Sequence, residues 1–394
     1  MMILYIDPGT SGLIINFLIA IFSSIIYFFR KLFFKKLIKK SSRIHDITLF
    51  SEGNQYKNTF LPIVNQLIKK KVSFNYYTLD YKDDLLNIES EFINSSFLGI
   101  GTLGYMKFNS LSSRILISTT PNIGNNNSPL KKPKKVKELA HVWHSIDDIS
   151  YYKKGSLDFY DTILTVGDFQ NESIKKIENL RNLKSKKLVP VGLPYFDVFL
   201  NKIKLDRIQD RTILIGSSWG EKGLLKRFGV NFIQEIVKKY KVIVRPHPQS
   251  FISEKPFIEE LKIKCLNIPN LEWDESSNPL ASFGKSSLLI SDTSAIRYDY
   301  SFLTNKPVIT LKIEKENLHE YEADYIEDIW GEKTELILGA VLHEDNLANI
   351  NLEIETLIND GVITSSIKTL KEKTLFSIGK SSSRIAQYLT SNSL

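Results

Sequence analysis

Short apolar runs that alternate with helix-like stretches constrain this chain more than any other feature. Residues 45–51 (HDITLFS) read as a strand, and 59–71 set Phe60, Leu61, Val64, Leu67 and Ile68 at near-helical spacing. Residues 72–78 (VSFNYYT) read as the next strand, and shorter apolar runs follow at 97–100 and 115–118. After Gly155 the rhythm resumes with a strand over Thr162–Val166, a helix to about Leu180, and KLVPVG. A linker-like helical stretch at 198–210 leads to TILIGSS at 212–218, KVIVRPHP at 241–248, SLLISD at 287–292 and KPVITL at 306–311. Peripheral helices are expected at 346–358 and 381–389. Strands alternating with helices in this way mean βαβ units and parallel sheets. A chain of 394 residues is long for one domain and fits two of ~150 residues. The expectation is therefore an α/β protein of two similar halves, 41–205 and 206–394, with a cleft between them.

Residues 1–40 stand apart. Leu13 to Phe29 (LIINFLIAIFSSIIYFF) carries no charge, and Arg30, Lys31, Lys35, Lys36, Lys39 and Lys40 follow it with no acid among them. A helix over that run would measure ~26 Å, near the short end of what spans a bilayer. Only Asp7 precedes it, so the positive-inside rule puts the N-terminus outside and the rest of the chain in the cytoplasm. A cleaved signal would need a basic start and a small-residue cleavage site, and neither is present. Residues 1–40 are thus read as an uncleaved transmembrane anchor with a basic juxtamembrane segment.

The anchor also accounts for the charge. Six bases and one acid in residues 1–40 supply +5 of the net +8, leaving +3 for the other 354 residues. The basic balance faces anionic lipid and is not a nucleic-acid footprint. An apolar fraction of 42% and a charged fraction of 24% exclude a disordered chain. A single cysteine, Cys265, excludes a disulfide scaffold and a cysteine-based zinc site. The stretch 121–137 (PNIGNNNSPLKKPKKVK) reads as a mobile loop, either a solvated connector or a basic lid or lipid-facing arm near an acidic substrate.

Three segments carry candidate chemistry. In His141-Val142-Trp143-His144-Ser145, strand alternation would turn one histidine to the cleft while its neighbour packs. A cleft histidine near neutral pKa is a good base for a hydroxyl nucleophile. No third ligand cluster accompanies the two histidines, so no metal is expected. In Val244-Arg245-Pro246-His247-Pro248, an apolar strand ends where open parallel sheets bind ligands, and the prolines preset the directions of Arg245 and His247. Arginine offers a two-pronged phosphate contact there. In Ser291-Asp292-Thr293-Ser294, a strand runs into a helix, with Thr293 or Ser294 as N-cap and free N–H groups as an anion site. Ser217 and Ser218 in GSSWGEKG, after another strand, are a further phosphate candidate.

These elements in this order resemble the CDP-glycerol glycerophosphotransferase family, whose members build teichoic-acid-like and capsule polymers at the cytoplasmic membrane face. The likeness rests on HVWHS, YDTILTVGDFQNE (160–172), VGLPYFD (191–197), IVRPHPQS (243–250) and SDTSAIRYDYSFLTNKPVI (291–309). SEGNQYKNTFLPI (51–63) resembles the opening of one branch. The resemblance implies two Rossmann-like domains in the GT-B arrangement, the first on the acceptor side and the second binding the donor. It implies His144 as catalytic base and His247 as the histidine that steadies the donor diphosphate. Arg245, Ser291, Asp292, Thr293, Ser294, Ser217 and Ser218 would line the diphosphate site. It implies attack by an acceptor hydroxyl on the β-phosphate of CDP-glycerol or a similar donor, release of CMP, a lipid-linked or glycan acceptor, and no cofactor. Many members have Gly-Thr after the histidine, whereas this chain has Ser145-Ile146. Two other readings stay open: a GT-B glycosyltransferase using a nucleotide sugar, and a tethered, non-catalytic assembly protein on the same scaffold.

Overall fold

The computed structural model describes residues 46–205, 211–313 and 318–391. The expected anchor at 1–40 lies outside them, and among the described residues no helix is long and apolar enough to cross a membrane.

The chain builds two all-parallel sheets. The first contains β1 (Ile47–Ser51), β2 (Phe74–Thr78), β3 (Ile93–Phe97), β4 (Ser112–Ser118), β5 (Lys135–Val142), β6 (Thr162–Thr165) and β7 (Lys187–Pro190), in the order β3-β2-β1-β4-β5-β6-β7. The second contains β8 (Thr212–Gly216), β9 (Lys241–Arg245), β10 (Leu271–Trp273), β11 (Leu288–Ser291), β12 (Val308–Leu311) and β13 (Gly339–Leu342), in the order β10-β9-β8-β11-β12-β13. Strands β8, β9, β11 and β12 are almost wholly buried. That burial on both faces explains why they read as continuous apolar runs and not as alternation. In each sheet the order reverses once, between β1 and β4 and between β8 and β11. Such switch points open a crevice at the strands' C-terminal ends, where doubly wound sheets hold ligands.

The helices follow the expected rhythm. α1 (Lys57–Lys69) buries Phe60, Ile63, Val64 and Leu67 against the first sheet, and α2 (Asp168–Leu180) buries Phe169, Ile174 and Ile177. In the second half, α3 (Leu224–Val237) follows β8 and α4 (Ile296–Thr304) follows β11. α5 (Ile363–Thr374) and α6 (Ser381–Ser391) close the described chain.

Three features depart from the sequence reading. The segment 121–137 is not a free-standing loop: it is anchored by buried residues and its last three residues belong to a strand. Ile123 and Leu130 are buried, Gly124 N–H donates to Leu130 O at 2.8 Å, and residues from Lys135 on belong to β5. Apolar anchoring at both ends explains why a lysine-rich sequence is held. Secondly, the strand carrying the histidines ends at Val142, so alternation describes His141 but not His144.

Thirdly, the C-terminal segment crosses back to the first sheet, although it follows the second in sequence. Phe376 N–H bonds Val166 O at 2.8 Å, and the N–H groups of Ser381 and Ser382 bond the Asp197 carboxylate at 2.9 and 2.7 Å. Arg114 reaches Leu389 O at 2.6 Å. The crossing explains two glycines: a Cβ on Gly167 would lie 2.1 Å from Thr374 O, and one on Gly192 2.2 Å from Phe376 O.

An acidic segment at residues 320–332 ties the halves together. Arg181, salt-bridged to Asp158 at 2.6 Å, bonds the buried Glu322 carboxylate at 2.8 Å, and Lys154 pairs with Asp324 at 2.6 Å. Phe169 stacks on Trp330 with ring centroids 4.1 Å apart.

Candidate active site

The second sheet's switch point is built from SDTS and GSS. Asp292, leaving β11, accepts from Ser218 N–H at 2.9 Å, Ser218 Oγ at 2.8 Å and Leu224 N–H at 2.9 Å. Ser217 Oγ accepts from Leu225 N–H at 3.2 Å and donates to Ser218 O at 2.6 Å. Asp292 and Ser217 therefore cap α3 and hold the loop before it. This corrects the expected phosphate contact of Asp292: its carboxylate is an acceptor already engaged with three donors. Burial, the largest effect on it, pushes its pKa up, and those hydrogen bonds resist the rise.

The start of α4 differs. Its N-cap is Ala295, with no side-chain cap, so Thr293 and Ser294 do not cap as expected. Both are half-buried and their hydroxyls are not committed to the helix end. Uncapped N–H groups and the positive end of the helix dipole make this start the better anion site of the two. Arg297 lies beside it, fully buried, with Nε on Ser294 O at 3.1 Å and Nη1 on Thr310 Oγ1 at 3.1 Å and Glu335 at 3.2 Å. Sequence reasoning missed Arg297, although it stands three residues after Ser294. Ser291 is buried at the end of β11, with its hydroxyl unpartnered among the described residues.

Arg245 has a structural role in place of the phosphate contact. Its Nη1 pairs with Asp274 at 2.5 Å and its Nη2 bonds Ser276 O at 2.9 Å, and only 6% of the residue is exposed. Burial pushes Asp274 up, but the Ser276 and Ser282 hydroxyls and the guanidinium together hold it below the usual carboxylate value. The turn that Pro246 and Pro248 enforce leaves His247 in a different position. Its Nδ1 accepts Gln249 N–H at 3.0 Å, so in the neutral ring the proton sits on Nε2, which becomes a donor. Its pKa is lowered to about 4 by burial, then by His144 and Arg245, against Glu254.

That influence of His144 on His247 places near one another two segments that are 103 residues apart in sequence. His144 follows β5 of the first sheet and His247 follows β9 of the second. His144 stands edge-on to Tyr56 at 5.1 Å, and its Nδ1 is buried without a partner. Burial lowers its pKa and the nearby Asp147 opposes the shift, so the ring is neutral at pH 7 and able to accept a proton. Ser145, in the position where the family pattern has Gly, bonds Asp147, and Gln170 Nε2 holds the Asp147 carbonyl at 2.6 Å. His141 is not in the cleft. It is fully buried, boxed edge-on by Trp143 at 5.1 Å, Tyr160 at 5.1 Å and Tyr152 at 6.1 Å, and its pKa falls to about 3 through burial and His144.

The first sheet's switch point holds residues that sequence reasoning did not single out. Glu52 follows β1, and Thr119 and Thr120 follow β4. Their signal was positional: a carboxylate at the end of the central strand. A recess of about 670 Å³ lies beside the second sheet, lined by Lys222, Arg227, Lys312 and His343 among others. Among the described residues no group of three or more His, Cys, Asp or Glu is gathered to hold a metal ion.

No protein-family model matches the sequence, and no curated protein matches it. Solved structures match the fold. The wall teichoic acid polymerase TagF is similar over 88% of this chain and 89% of its own, with TM-score 0.53 and 13% identity. The Methanocaldococcus jannaschii UDP-GlcNAc 2-epimerase, solved with UDP-GlcNAc and UDP, is similar over 89% and 100%, with TM-score 0.57 and 15% identity. The Neisseria meningitidis enzyme bound to UDP-GlcNAc is similar over 89% and 100%, with TM-score 0.56 and 16% identity. At these identities the likeness concerns the fold. The chain has two parallel-sheet α/β domains in the GT-B arrangement.

Proposed function

We propose that this chain is a membrane-anchored transferase. It moves glycerol phosphate, or a related polyol phosphate, from a CDP-activated donor to an acceptor hydroxyl in cell-surface polymer synthesis. The observation that carries the proposal is that His144, after β5 of the first sheet, lies near enough to His247, after β9 of the second, for its charge to lower the pKa of His247. RPHP and SDTS, the most specific parts of the family resemblance, lie at the ends of β9 and β11, the two strands that flank β8 in the second sheet.

In this reading the donor diphosphate lies at the start of α4, against its N–H groups, Thr293 and Ser294, with Arg297 behind. The nucleoside extends toward the recess lined by Lys222, Arg227 and Lys312. His144 takes the acceptor hydroxyl's proton. The oxygen bonds the β-phosphorus, the bridging P–O bond breaks, and CMP leaves with that electron pair. His247, neutral, donates Nε2–H to the diphosphate as charge develops on it. Fixed donors in a site shielded from water are the strongest means of stabilising such charge. The anchor at 1–40 would hold the catalytic part on the cytoplasmic face, near a lipid-linked or glycan acceptor.

The fold shared with UDP-GlcNAc epimerases gives the competing reading, glycosyl transfer from a nucleotide sugar. CMP release by full-length protein in membranes, supplied with CDP-glycerol, separates the two. Release that vanishes in His144→Ala supports phosphotransfer. Release of UDP from UDP-sugars, with CDP-glycerol inert, overturns it.

A further inference from the structure

A histidine that acts as a base depends on a second group to fix its ring and to stabilise the charge it gains. Among the described residues nothing hydrogen-bonds the buried Nδ1 of His144. Asp147, half-buried, stands three residues further on and is held at two points. Ser145 Oγ donates to its carboxylate, and the fully buried Gln170 grips its backbone carbonyl with Nε2 at 2.6 Å. Gln170 Oε1 in turn accepts Val166 N–H at 2.7 Å, so the end of β6 and the first turn of α2 both set where Asp147 lies.

We propose that Asp147 is a positioning residue for His144, whose carboxylate stabilises the imidazolium formed when the acceptor hydroxyl gives up its proton. The hydroxyl proton ends on the ring, and Asp147 stays ionised throughout. The proposal rests on the transferase reading for the reaction, but not for the pairing of the two side chains.

Three observations carry it. First, Asp147 has no counter-charge. No cation pairs with it among the described residues. The other groups whose ionisation feels its charge are Asp148, Tyr151, Tyr152, Tyr195, Tyr298 and Asp299, all of them acids. Of the groups that feel Asp147, His144 alone can carry a positive charge, and Asp147 is what opposes the effect of burial on it. A carboxylate shielded from water and left without a cation is costly, and such unpaired charge gathers at functional sites.

Secondly, the other groups near His144 cannot do this work. Asp148 is committed to structure: it is buried and accepts Ser150 N–H at 2.8 Å and Ser173 Oγ at 2.8 Å. Tyr56 meets the ring edge-on at 5.1 Å, but burial and then Glu52 raise its hydroxyl to about 12, so it carries no charge at pH 7. His141 and His247 are disfavoured as cations by His144 and repel an imidazolium there in return.

Thirdly, Ser145 and Asp147 form one device. Ser145 occupies the position where the family pattern has Gly, and a glycine has no hydroxyl with which to hold the carboxylate. Hydrogen bonds of a catalytic dyad are often long before substrate binds and tighten with it, so an Nδ1 without a partner suits a carboxylate poised nearby.

The test titrates His144 by NMR in full-length protein in detergent with ¹³C-labelled histidine. The chain has six histidines, and His144→Ala assigns the resonance. CMP release from CDP-glycerol by protein in membranes is followed against pH in parallel. In Asp147→Asn the pKa of His144 falls by about one unit, the usual effect of removing a nearby opposite charge. A base works only while deprotonated, so the acid limb of kcat/KM moves down by the same amount. kcat falls tenfold or more and KM for the donor is unchanged. Asp147→Glu restores part of the pKa and of kcat. Ser145→Gly, which frees the carboxylate without removing it, gives a smaller shift in the same direction and keeps the question answerable if Asp147→Asn does not fold. A His144 pKa that stays put in Asp147→Asn and Ser145→Gly, or a loss confined to KM, overturns the proposal. If the wild-type protein releases no CMP, the transferase reading fails while the titration still decides the pairing.

Discussion

A histidine can take a proton from a hydroxyl only while its ring is neutral, and burial keeps both cleft imidazoles in that form at pH 7. In the proposed reaction, His144→Ala lowers kcat by ~10²- to 10⁴-fold, the usual contribution of a positioned base, with the melting temperature little changed. Arg245 gives the opposite pattern. Arg245→Ala leaves Asp274 buried without its counter-charge, a loss of about 3–5 kcal/mol in comparable pairs. The expected outcome is a melting temperature lower by several degrees, together with weaker donor binding; unchanged melting with lost donor affinity would restore its phosphate contact. His141 makes a third case. Its pKa is about 3 in the fold against an ordinary value near 6.5, so its contribution to stability is full above pH 6.5 and is lost as pH falls from there toward 3. Asp299, raised to about 7 by burial, works in the opposite sense over the same range, so the clean readout is a difference between proteins. His141→Phe keeps the ring in its aromatic box, and its melting temperature relative to wild type rises steadily between pH 6.5 and 4. A constant gap would contradict the buried, neutral imidazole.

At the scale of elements, the alternation of apolar runs and helical spacing placed most strands and helices within a few residues, because strands buried on both faces leave an uninterrupted apolar signature. RPHP and SDTS were legible for the same reason: they lie where such strands stop. What could not be read was the direction each side chain takes after its strand ends. Arg245 turns to Asp274 and Asp292 to the N-terminus of α3, and these partners lie 29 and 68 residues away in sequence. The short strands β10 and β13 also escaped notice, being three and four residues long. Nor did local sequence announce the return of the C-terminal segment; only Gly167 and Gly192 mark it. Gly192 has φ +87°, and any Cβ there strikes Phe376 O, so Gly192→Ala costs more than about 1 kcal/mol. The predicted result is a lower melting temperature and faster proteolysis after residue 375, while Gly361→Ala, in open space, changes neither.

For the whole molecule, the proposed account is a transferase whose two parallel sheets divide the work between their switch points. In that proposed reading donor recognition belongs to the second sheet and the base to the first, and residues 320–332 with α5 and α6 link the two. The most direct test is thermal shift of the full-length protein against CDP-glycerol, CMP, UDP-GlcNAc and UDP. The account predicts stabilisation by CDP-glycerol and CMP that is retained in His144→Ala and lost in the double variant Thr293→Val with Ser294→Ala. Stabilisation by the uridine compounds alone would contradict it, and so would CDP-glycerol binding indifferent to the start of α4.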